Sequence, residues 1–237
     1  MLRKTDLDMV KRRARVLLNC KPKFSKDSHF VIHPFFGIDC FVEDGKNVLS
    51  IRDEKQFKKV VNIYENYIDK IAEYNDFSVI LNNKSQIPLF FKETVEYLDK
   101  YDFNRFLSHM WVMVEFPNYN EFISPKQFIQ YFKKTDKNLL MDKEELKIYN
   151  NLLDEIEIYR GVSYKYRENG TKALSWTINR DKAKWFATRY EFKGLVYTAK
   201  VKKEDVFSYF NSRNEDELVV DYNKIELLSI EEIYSES

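Results

Sequence analysis

The chain changes character at the stretch Ile156-Glu157-Ile158-Tyr159-Arg160-Gly161. Apolar and polar side chains alternate through its first four residues, and this period of two is typical of a half-buried strand. The alternation returns at residues 195–201 and 218–221, while residues 181–189 follow a helical pattern. We therefore predict that residues 154–237 form a domain of strands with at least one helix.

The chain before this stretch is predicted to be mainly helical. Residues 53–74 carry apolar and aromatic side chains every three or four positions, as on one face of a helix. Further helices are predicted at residues 88–101 and 104–114. The sequence thus predicts an α+β protein in which a mainly helical region, residues 1–153, precedes the strand-rich domain and serves as an accessory or target-recognition region.

Local signals mark helix starts and one hairpin. Ser124-Pro125-Lys126-Gln127 places a capping Ser before a Pro at the first helical position, with a Gln that can reach back to the cap. Asp142-Lys143-Glu144-Glu145 is a similar start for a helix that ends near Leu153. A hairpin turn is predicted around Glu43-Asp44-Gly45-Lys46.

The charge balance argues against a partner held by bulk electrostatic attraction. The 237 residues include 39 Lys and Arg against 38 Asp and Glu, for a net charge of +1. Nucleic acid is therefore not expected as a partner. The exception is Lys11-Arg12-Arg13-Ala14-Arg15, which is either a solvated helix face or a contact for nucleic acid or an acidic partner.

The sequence predicts a cytoplasmic protein without a membrane partner or a metal. It has neither a run of about 20 apolar residues nor the apolar segment of a signal peptide. Cys20 and Cys40 do not make a disulfide framework, as expected in a reducing compartment. Together with His29 and His33 they also lack the paired short spacings of a zinc site.

Three short motifs that can carry chemistry follow one another in residues 154–237. They are Tyr159-Arg160-Gly161 at the end of a strand, Leu174-Ser175-Trp176-Thr177, and Glu215-Asp216-Glu217 at the start of a strand. Each motif alone is weak, because a surface Arg, an ordinary strand segment and an exposed acidic turn have the same appearance. Their combination in this order is far rarer by chance.

This combination resembles the Arg-Ser-Glu class of mono-ADP-ribosyltransferases, including compact phage-encoded members, over residues 156–225. The class carries an Arg on one strand, a Ser-x-Ser or Ser-x-Thr on a second and a Glu-x-Glu on a later one. The resemblance implies a split β-sandwich, two small sheets with NAD in the cleft between them. It implies NAD as a substrate and transfer of ADP-ribose to a protein side chain, with Arg favoured and Asn as another acceptor.

The resemblance assigns NAD binding to Arg160, Gly161, Ser175 and Thr177. The guanidinium of Arg160 can donate a forked hydrogen bond to phosphate or ribose oxygens. Gly161 has no side chain, so its backbone can approach the nicotinamide amide. Ser175 and Thr177 face the same way on a strand, and Ser175 is expected to hold the carboxylate of Glu217.

Glu217 is predicted to be the catalytic carboxylate, with Arg160, Ser175 and Glu215 as further catalytic residues. A fixed carboxylate can accept a hydrogen bond from the ribose 2′-OH and stabilise the oxocarbenium-like cation that forms as nicotinamide departs. Glu215 is expected to orient an acceptor guanidinium and to take its proton as the nitrogen attacks.

Two further residues are candidates for NAD binding, and one motif departs from the family pattern. Phe186 is either a nicotinamide contact or core packing of the helix, and Arg189 is either a phosphate contact or a solvated helix end. Trp176 faces away from Ser175 and is predicted to lie in the core. The middle motif is Ser-Trp-Thr rather than Ser-Thr-Ser, which leaves the role of Thr177 open.

The resemblance and the composition together suggest a biological setting. A chain rich in Lys, Asn, Tyr and Phe is typical of an AT-rich bacterial or phage genome. We therefore expect a phage effector or anti-CRISPR protein that modifies a target protein in the host cytoplasm, an expectation that rests on fold analogy. The alternatives are a non-catalytic binding protein with a degenerate transferase fold and an NAD glycohydrolase toxin.

Overall fold

The computed structural model describes residues 4–43, 45–114 and 120–235. The chain divides into two compact units, Met1–Ile123 and Ser124–Ser237. Helices occur in both units, and a six-stranded antiparallel sheet forms the centre of the second. The mixture of helix and strand is the α+β class that the sequence predicts.

The first unit combines helices with two small ribbons. Its α-helices are α1 (Leu7–Leu18), α2 (Glu54–Lys70), α3 (Phe77–Ile80), α4 (Ile87–Thr94) and α5 (Lys100–Met113). Its strands pair as β1 (Lys23–Phe24) with β2 (Val31–Ile32) and as β3 (Cys40–Glu43) with β4 (Asn47–Ser50). The second ribbon is the predicted hairpin. Gly45 in its turn has a φ of 70°, a conformation that favours glycine, and Asp44 lies outside the described residues.

The helix predicted over residues 88–101 is divided in the structure. Helix α4 ends at Thr94, whose hydroxyl donates to the carbonyl of Phe90 at 2.8 Å. Helix α5 then begins after Asp99, because the Asp99 carboxylate accepts a hydrogen bond from the backbone N–H of Asp102 at 2.8 Å. The Asp99 cap therefore starts α5 four residues before the helix predicted at 104–114, and the helix predicted at 88–101 ends early.

Large aromatic side chains fill the interior of the first unit. Tyr74 is buried among them and its hydroxyl hydrogen-bonds to that of Thr94 at 2.8 Å, so its polar end is satisfied. Each large apolar side chain that is removed from water contributes on the order of 1.5–3 kcal/mol. The fully buried members are Phe35, Tyr74, Phe77, Phe90, Phe91, Phe106 and Trp111.

His33 lies inside this aromatic interior, with 1% of its surface exposed. Its Nε2 lies 3.2 Å from the carbonyl oxygen of Leu18, and its Nδ1 accepts from the backbone N–H of Phe35 at 3.1 Å. This pattern fits a neutral imidazole with the proton on Nε2. Burial lowers the pKa of His33 from 6.5 to about 4, because a charged ring would lose its hydration there.

Acidification should therefore destabilise the first unit through His33. The unfolded chain takes up a proton near pH 6.5, whereas the folded unit resists protonation until about pH 4. Stability contributed by the neutral ring is thus lost as the pH falls through this window, by up to about 3 kcal/mol. Urea unfolding at several pH values should show this slope in the wild type and a flatter one in His33→Leu. An equal slope in both proteins would contradict the assignment.

The second unit begins with three helices and continues with strands. The helices are α6 (Pro125–Phe132), α7 (Lys137–Leu140), α8 (Lys143–Asn150) and, among the strands, α9 (Arg180–Thr188). The strands are β5 (Glu155–Ser163), β6 (Ser175–Thr177), β7 (Lys193–Lys202), β8 (Val206–Phe210), β9 (Glu217–Val220) and β10 (Glu226–Tyr234). The capping boxes predicted at Ser124 and Asp142 are both present.

The helices before β5 belong to the sheet-containing unit. The ammonium of Lys137 and the hydroxyl of Tyr149 both donate to the carbonyl of Val206 in β8, at 2.8 and 3.2 Å. Lys133 forms an ion pair with the buried Asp221 at 3.0 Å. These contacts show that the three helices belong to the second unit. The chain divides after residue 123, thirty residues before the predicted boundary at 153/154.

The sheet has the strand order β10-β7-β5-β6-β9-β8 and is antiparallel throughout. Its two halves, β10-β7-β5 and β6-β9-β8, are joined at a single residue pair, Tyr159 with Thr177. The strands of the second unit therefore form one six-stranded sheet, whereas the sequence predicted two small sheets.

Helix α9 lies directly against β5 and β7 because two glycines face it. A Cβ atom at Gly161 would lie 1.8 Å from the carbonyl oxygen of Ala183, and one at Gly194 would lie 2.0 Å from that of Ala187. Real Cβ atoms do not approach oxygens this closely. The absent side chain of Gly161 thus makes room for α9, and the approach of its backbone to nicotinamide stays a prediction.

Candidate active site

Three neighbouring strands bring the predicted motifs together. β5 carries Arg160 and pairs with β6, which carries Ser175 and Thr177, and β6 pairs with β9, which begins at Glu217. One η nitrogen of Arg160 donates to the carbonyl oxygen of Ser175 at 2.5 Å. The first two motifs are thus in direct contact, and the third lies on the adjacent strand.

The register between β6 and β9 determines which hydroxyl is opposite Glu217. Thr177 is the cross-strand partner of Glu217, and Ser175 is the partner of Val219. Directly paired residues project from the same face of a sheet, and diagonal neighbours lie farther apart. Thr177 therefore stands opposite the predicted catalytic residue, and Ser175 stands diagonal to it.

The hydroxyl of Thr177 connects the acidic motif to helix α9. It donates to the carbonyl oxygen of Glu215 at 2.8 Å and accepts from the backbone N–H of Asn179 at 3.0 Å. Asn179 is the N-cap of α9, and its side chain accepts from the N–H groups of Asp181 and Lys182. Thr177, whose role the sequence left open, thus holds the loop of Glu215 against the start of the helix.

The loop before β9 has a backbone conformation that few non-glycine residues adopt. Asn214 and Asp216 have φ values of 55° and 49°, and such residues cost about 1 kcal/mol or more unless their surroundings hold them. The carboxylate of Asp216 accepts from the hydroxyl of Tyr209 at 2.8 Å and from the amide of Asn179 at 3.4 Å. Its N–H donates to the side chain of Asn211 at 3.0 Å. The middle residue of the acidic motif is therefore structural.

The two glutamates on either side of Asp216 differ in exposure and share a cation. The side chain of Glu217 is 4% exposed and that of Glu215 is 22% exposed. One η nitrogen of Arg213 lies 2.9 Å from Oε2 of Glu215 and 3.6 Å from Oε2 of Glu217. Arg213 was not among the residues predicted from the sequence. Its signal there is a basic residue two positions before Glu215 and four before Glu217.

A pocket of about 430 Å³ opens between this loop and helix α9. Two predicted site residues, Phe186 and Glu215, are among the described residues that line it. The lining does not include the predicted site residues on the strands, which are Arg160, Ser175, Thr177 and Glu217. The lining residues are Asn179, Asp181, Lys182, Trp185, Phe186, Arg213, Asn214 and Glu215.

The aromatic side chains of α9 form one wall of the pocket. Phe186 is half-buried and lines the pocket, and its ring packs edge-on against Trp185 with centroids 5.0 Å apart. Arg189, a candidate for phosphate binding, has its guanidinium 4.9 Å from the centroid of Phe186 and 4.4 Å from that of Tyr190. It therefore stacks on aromatic rings in this structure.

Trp176, next to Ser175, lies in the core of the second unit. Trp176 is 2% exposed and its indole N–H donates to the carbonyl of Ala173 at 2.9 Å, so it is a core residue as predicted.

Among the described residues, no group of three or more His, Cys, Asp or Glu side chains is arranged to hold a metal ion. Within the same residues, no helix combines the length and apolar character needed to cross a membrane.

Comparison of the chain with models of protein families, with curated proteins and with solved structures gave no match. A functional assignment must therefore come from the chemistry of the residues just described.

Proposed function

We propose that the chain is an NAD-dependent mono-ADP-ribosyltransferase that modifies a side chain of a target protein, with arginine as the favoured acceptor. One observation carries the proposal. The strand order places a guanidinium (Arg160), two hydroxyls (Ser175 and Thr177) and a buried carboxylate (Glu217) on three adjacent strands, and Glu215, two residues before Glu217, lines a pocket.

The size and lining of the pocket suit the nicotinamide end of NAD. Its volume of about 430 Å³ lies within the usual range for small-molecule sites. In NAD the nicotinamide ring is a cation, and cations are attracted to the faces of aromatic rings such as those of Trp185 and Phe186. The ring becomes neutral when it leaves, so this attraction weakens after cleavage.

Arg160 is the residue proposed to meet the diphosphate or the ribose. Its hydrogen bond to the Ser175 carbonyl fixes the guanidinium at the junction of the two sheet halves. A guanidinium carries five N–H donors in a planar fork, and phosphate oxygens match that geometry. The fixed orientation would spare NAD the entropic cost of ordering a mobile side chain.

Glu217 is proposed to stabilise the sugar cation. The bond between C1′ and the nicotinamide nitrogen breaks with its electron pair on nicotinamide, which leaves positive charge on the ribose. A carboxylate that is only 4% exposed interacts with such a charge more strongly than one in water. Glu215, at 22% exposure, is better placed to accept a proton from an incoming acceptor.

The proposal is tested by incubating the purified chain with NAD labelled in its adenosine half, in the presence of a bacterial lysate. We expect label on one or a few discrete proteins, and no such label when Glu217 is replaced by Ala. Release of free ADP-ribose at the same rate without lysate would instead identify a glycohydrolase. A stable complex with a lysate protein but no cleavage of NAD would identify a binding protein.

A further inference from the structure

We propose that Arg213 is an internal acceptor, so that the chain transfers ADP-ribose to its own Arg213 when no target is present. This inference rests on the proposed transferase function and deepens it. It starts from the position of one nitrogen atom, since Nη2 of Arg213 contacts both glutamates of the acidic motif, at 2.9 and 3.6 Å.

The contacts of this nitrogen are those that an attacking guanidinium needs. A protonated guanidinium is a poor nucleophile, and a carboxylate that accepts its proton during attack activates it. Glu215 lies at hydrogen-bond distance from Nη2, and Glu217 is the carboxylate proposed to lie beside the ribose. Nη2 therefore lies 2.9 Å from the carboxylate that would take its proton and 3.6 Å from the one proposed to stabilise the sugar cation.

Hydrogen bonds on both sides of Arg213 fix the backbone from which its side chain extends. The N–H of Asn214 donates to the carbonyl of Asn211 at 2.8 Å. The N–H of Asp216 donates to the side-chain oxygen of the same Asn211, which forms a second hydrogen bond across the loop. The N–H of Asn211 in turn donates to Glu145 of α8 at 3.0 Å. A reacting group that is held in place reacts as though it were at very high concentration.

The side chain also remains within reach of the substrate. Arg213 is one of the lining residues of the pocket, and its side chain is 32% exposed. A guanidinium buried completely beneath Glu215 would neutralise the two carboxylates without ever meeting NAD. Arg213 instead borders the same space as the aromatic side chains that would hold nicotinamide.

The reaction balances without any further reactant. The glycosidic bond between C1′ and nicotinamide breaks, and its electrons stay on nicotinamide. Nη2 of Arg213 forms the new bond to C1′, and the proton that it loses passes to Glu215 and then to solvent. The products are nicotinamide and a chain with ADP-ribose on Arg213. Because the modified side chain would fill the pocket, the reaction should limit itself to one turnover per molecule.

The test is incubation of the purified full chain with NAD in the absence of any acceptor, followed by peptide mass spectrometry and measurement of nicotinamide release. We expect one added ADP-ribose, located on Arg213. Arg213→Lys keeps the positive charge but lacks the guanidinium, so it should lose this modification. Arg180→Lys is the matched control, because Arg180 pairs with Glu231 at the surface and its loss should change nothing.

Each other outcome counts against the internal acceptor. If the wild type releases nicotinamide with agmatine but Arg213 is unmodified, the internal acceptor is wrong and the transferase function stands. If Arg213→Lys releases no nicotinamide with agmatine while the wild type does, Arg213 belongs to the catalytic machinery instead. If the wild type cleaves no NAD with agmatine or with lysate, both proposals fail.

A competition experiment gives a further expected result. Excess agmatine should reduce the modification of Arg213, because the two guanidinium groups compete for Glu215.

Discussion

Replacement of Glu217 by Gln should slow the release of nicotinamide from NAD by about 10²–10³-fold, the usual cost of removing one fixed electrostatic group from a transition state. The amide has nearly the same shape as the carboxylate but cannot offer a full negative charge to the sugar cation. Since the charge develops only as the bond breaks, the loss should appear in kcat with little change in KM for NAD. Steady-state nicotinamide release by the purified chain, with agmatine supplied as acceptor, measures both.

A surface glutamate of the same unit provides the control for Glu217. The side chain of Glu204 is 74% exposed, so Glu204→Gln makes the same chemical change away from the site and should leave the rate unaltered. Both variants should unfold at the temperature of the wild type to within a few degrees. A Glu217→Gln protein that is folded and retains more than a tenth of the wild-type rate would remove Glu217 from the catalytic role.

Gly161→Ala should destabilise the second unit by about 3 kcal/mol, at the upper end of the range for overpacked interiors. The added Cβ would lie 1.8 Å from the Ala183 carbonyl oxygen and 2.7 Å from the Ala187 nitrogen, and both are backbone atoms of α9. Backbone cannot rotate aside as a flexible side chain can, so the helix must move away from β5. We expect thermal unfolding of the variant to show a midpoint roughly 10 °C below that of the wild type.

The matched control for this substitution is Gly37→Ala in the first unit. A Cβ at Gly37 would lie 3.4 Å from its nearest neighbour, which is ordinary van der Waals contact, so little change in stability is expected. If Gly161→Ala is as stable as Gly37→Ala, helix α9 does not lie on β5 as described. The pocket, whose lining includes residues of α9, would then need to be reconsidered.

Sequence reasoning located the elements of the site more reliably than their contacts. The alternation at Ile156–Tyr159 predicted the strand that became β5, and the apolar spacing at 181–189 predicted α9. Both patterns depend on local periodicity, which a single sequence contains. The pairing between strands depends on interactions between distant parts of the chain, so the position of Thr177 opposite Glu217 was not visible.

The same limit explains the residues whose roles changed. Gly161 was predicted to let its backbone approach nicotinamide, and its second role in packing against α9 was not visible because the helix residues it faces lie more than 20 positions away in the chain. Arg213 was missed because its placement depends on the left-handed backbone of Asn214 and Asp216, neither of which is glycine. The predicted division between the units came after α8. The hydrogen bonds of Lys137 and Tyr149 to β8 leave no periodic pattern in the sequence, so they could not be predicted.

A crystal structure of the Glu217→Gln variant with bound NAD tests the central claim most directly, since slow cleavage should preserve the intact dinucleotide. We predict the nicotinamide ring against Phe186, the attached ribose beside residue 217 and the diphosphate within hydrogen-bond distance of Arg160. NAD bound elsewhere on the chain, or absent from crystals grown at a saturating concentration, would contradict the account.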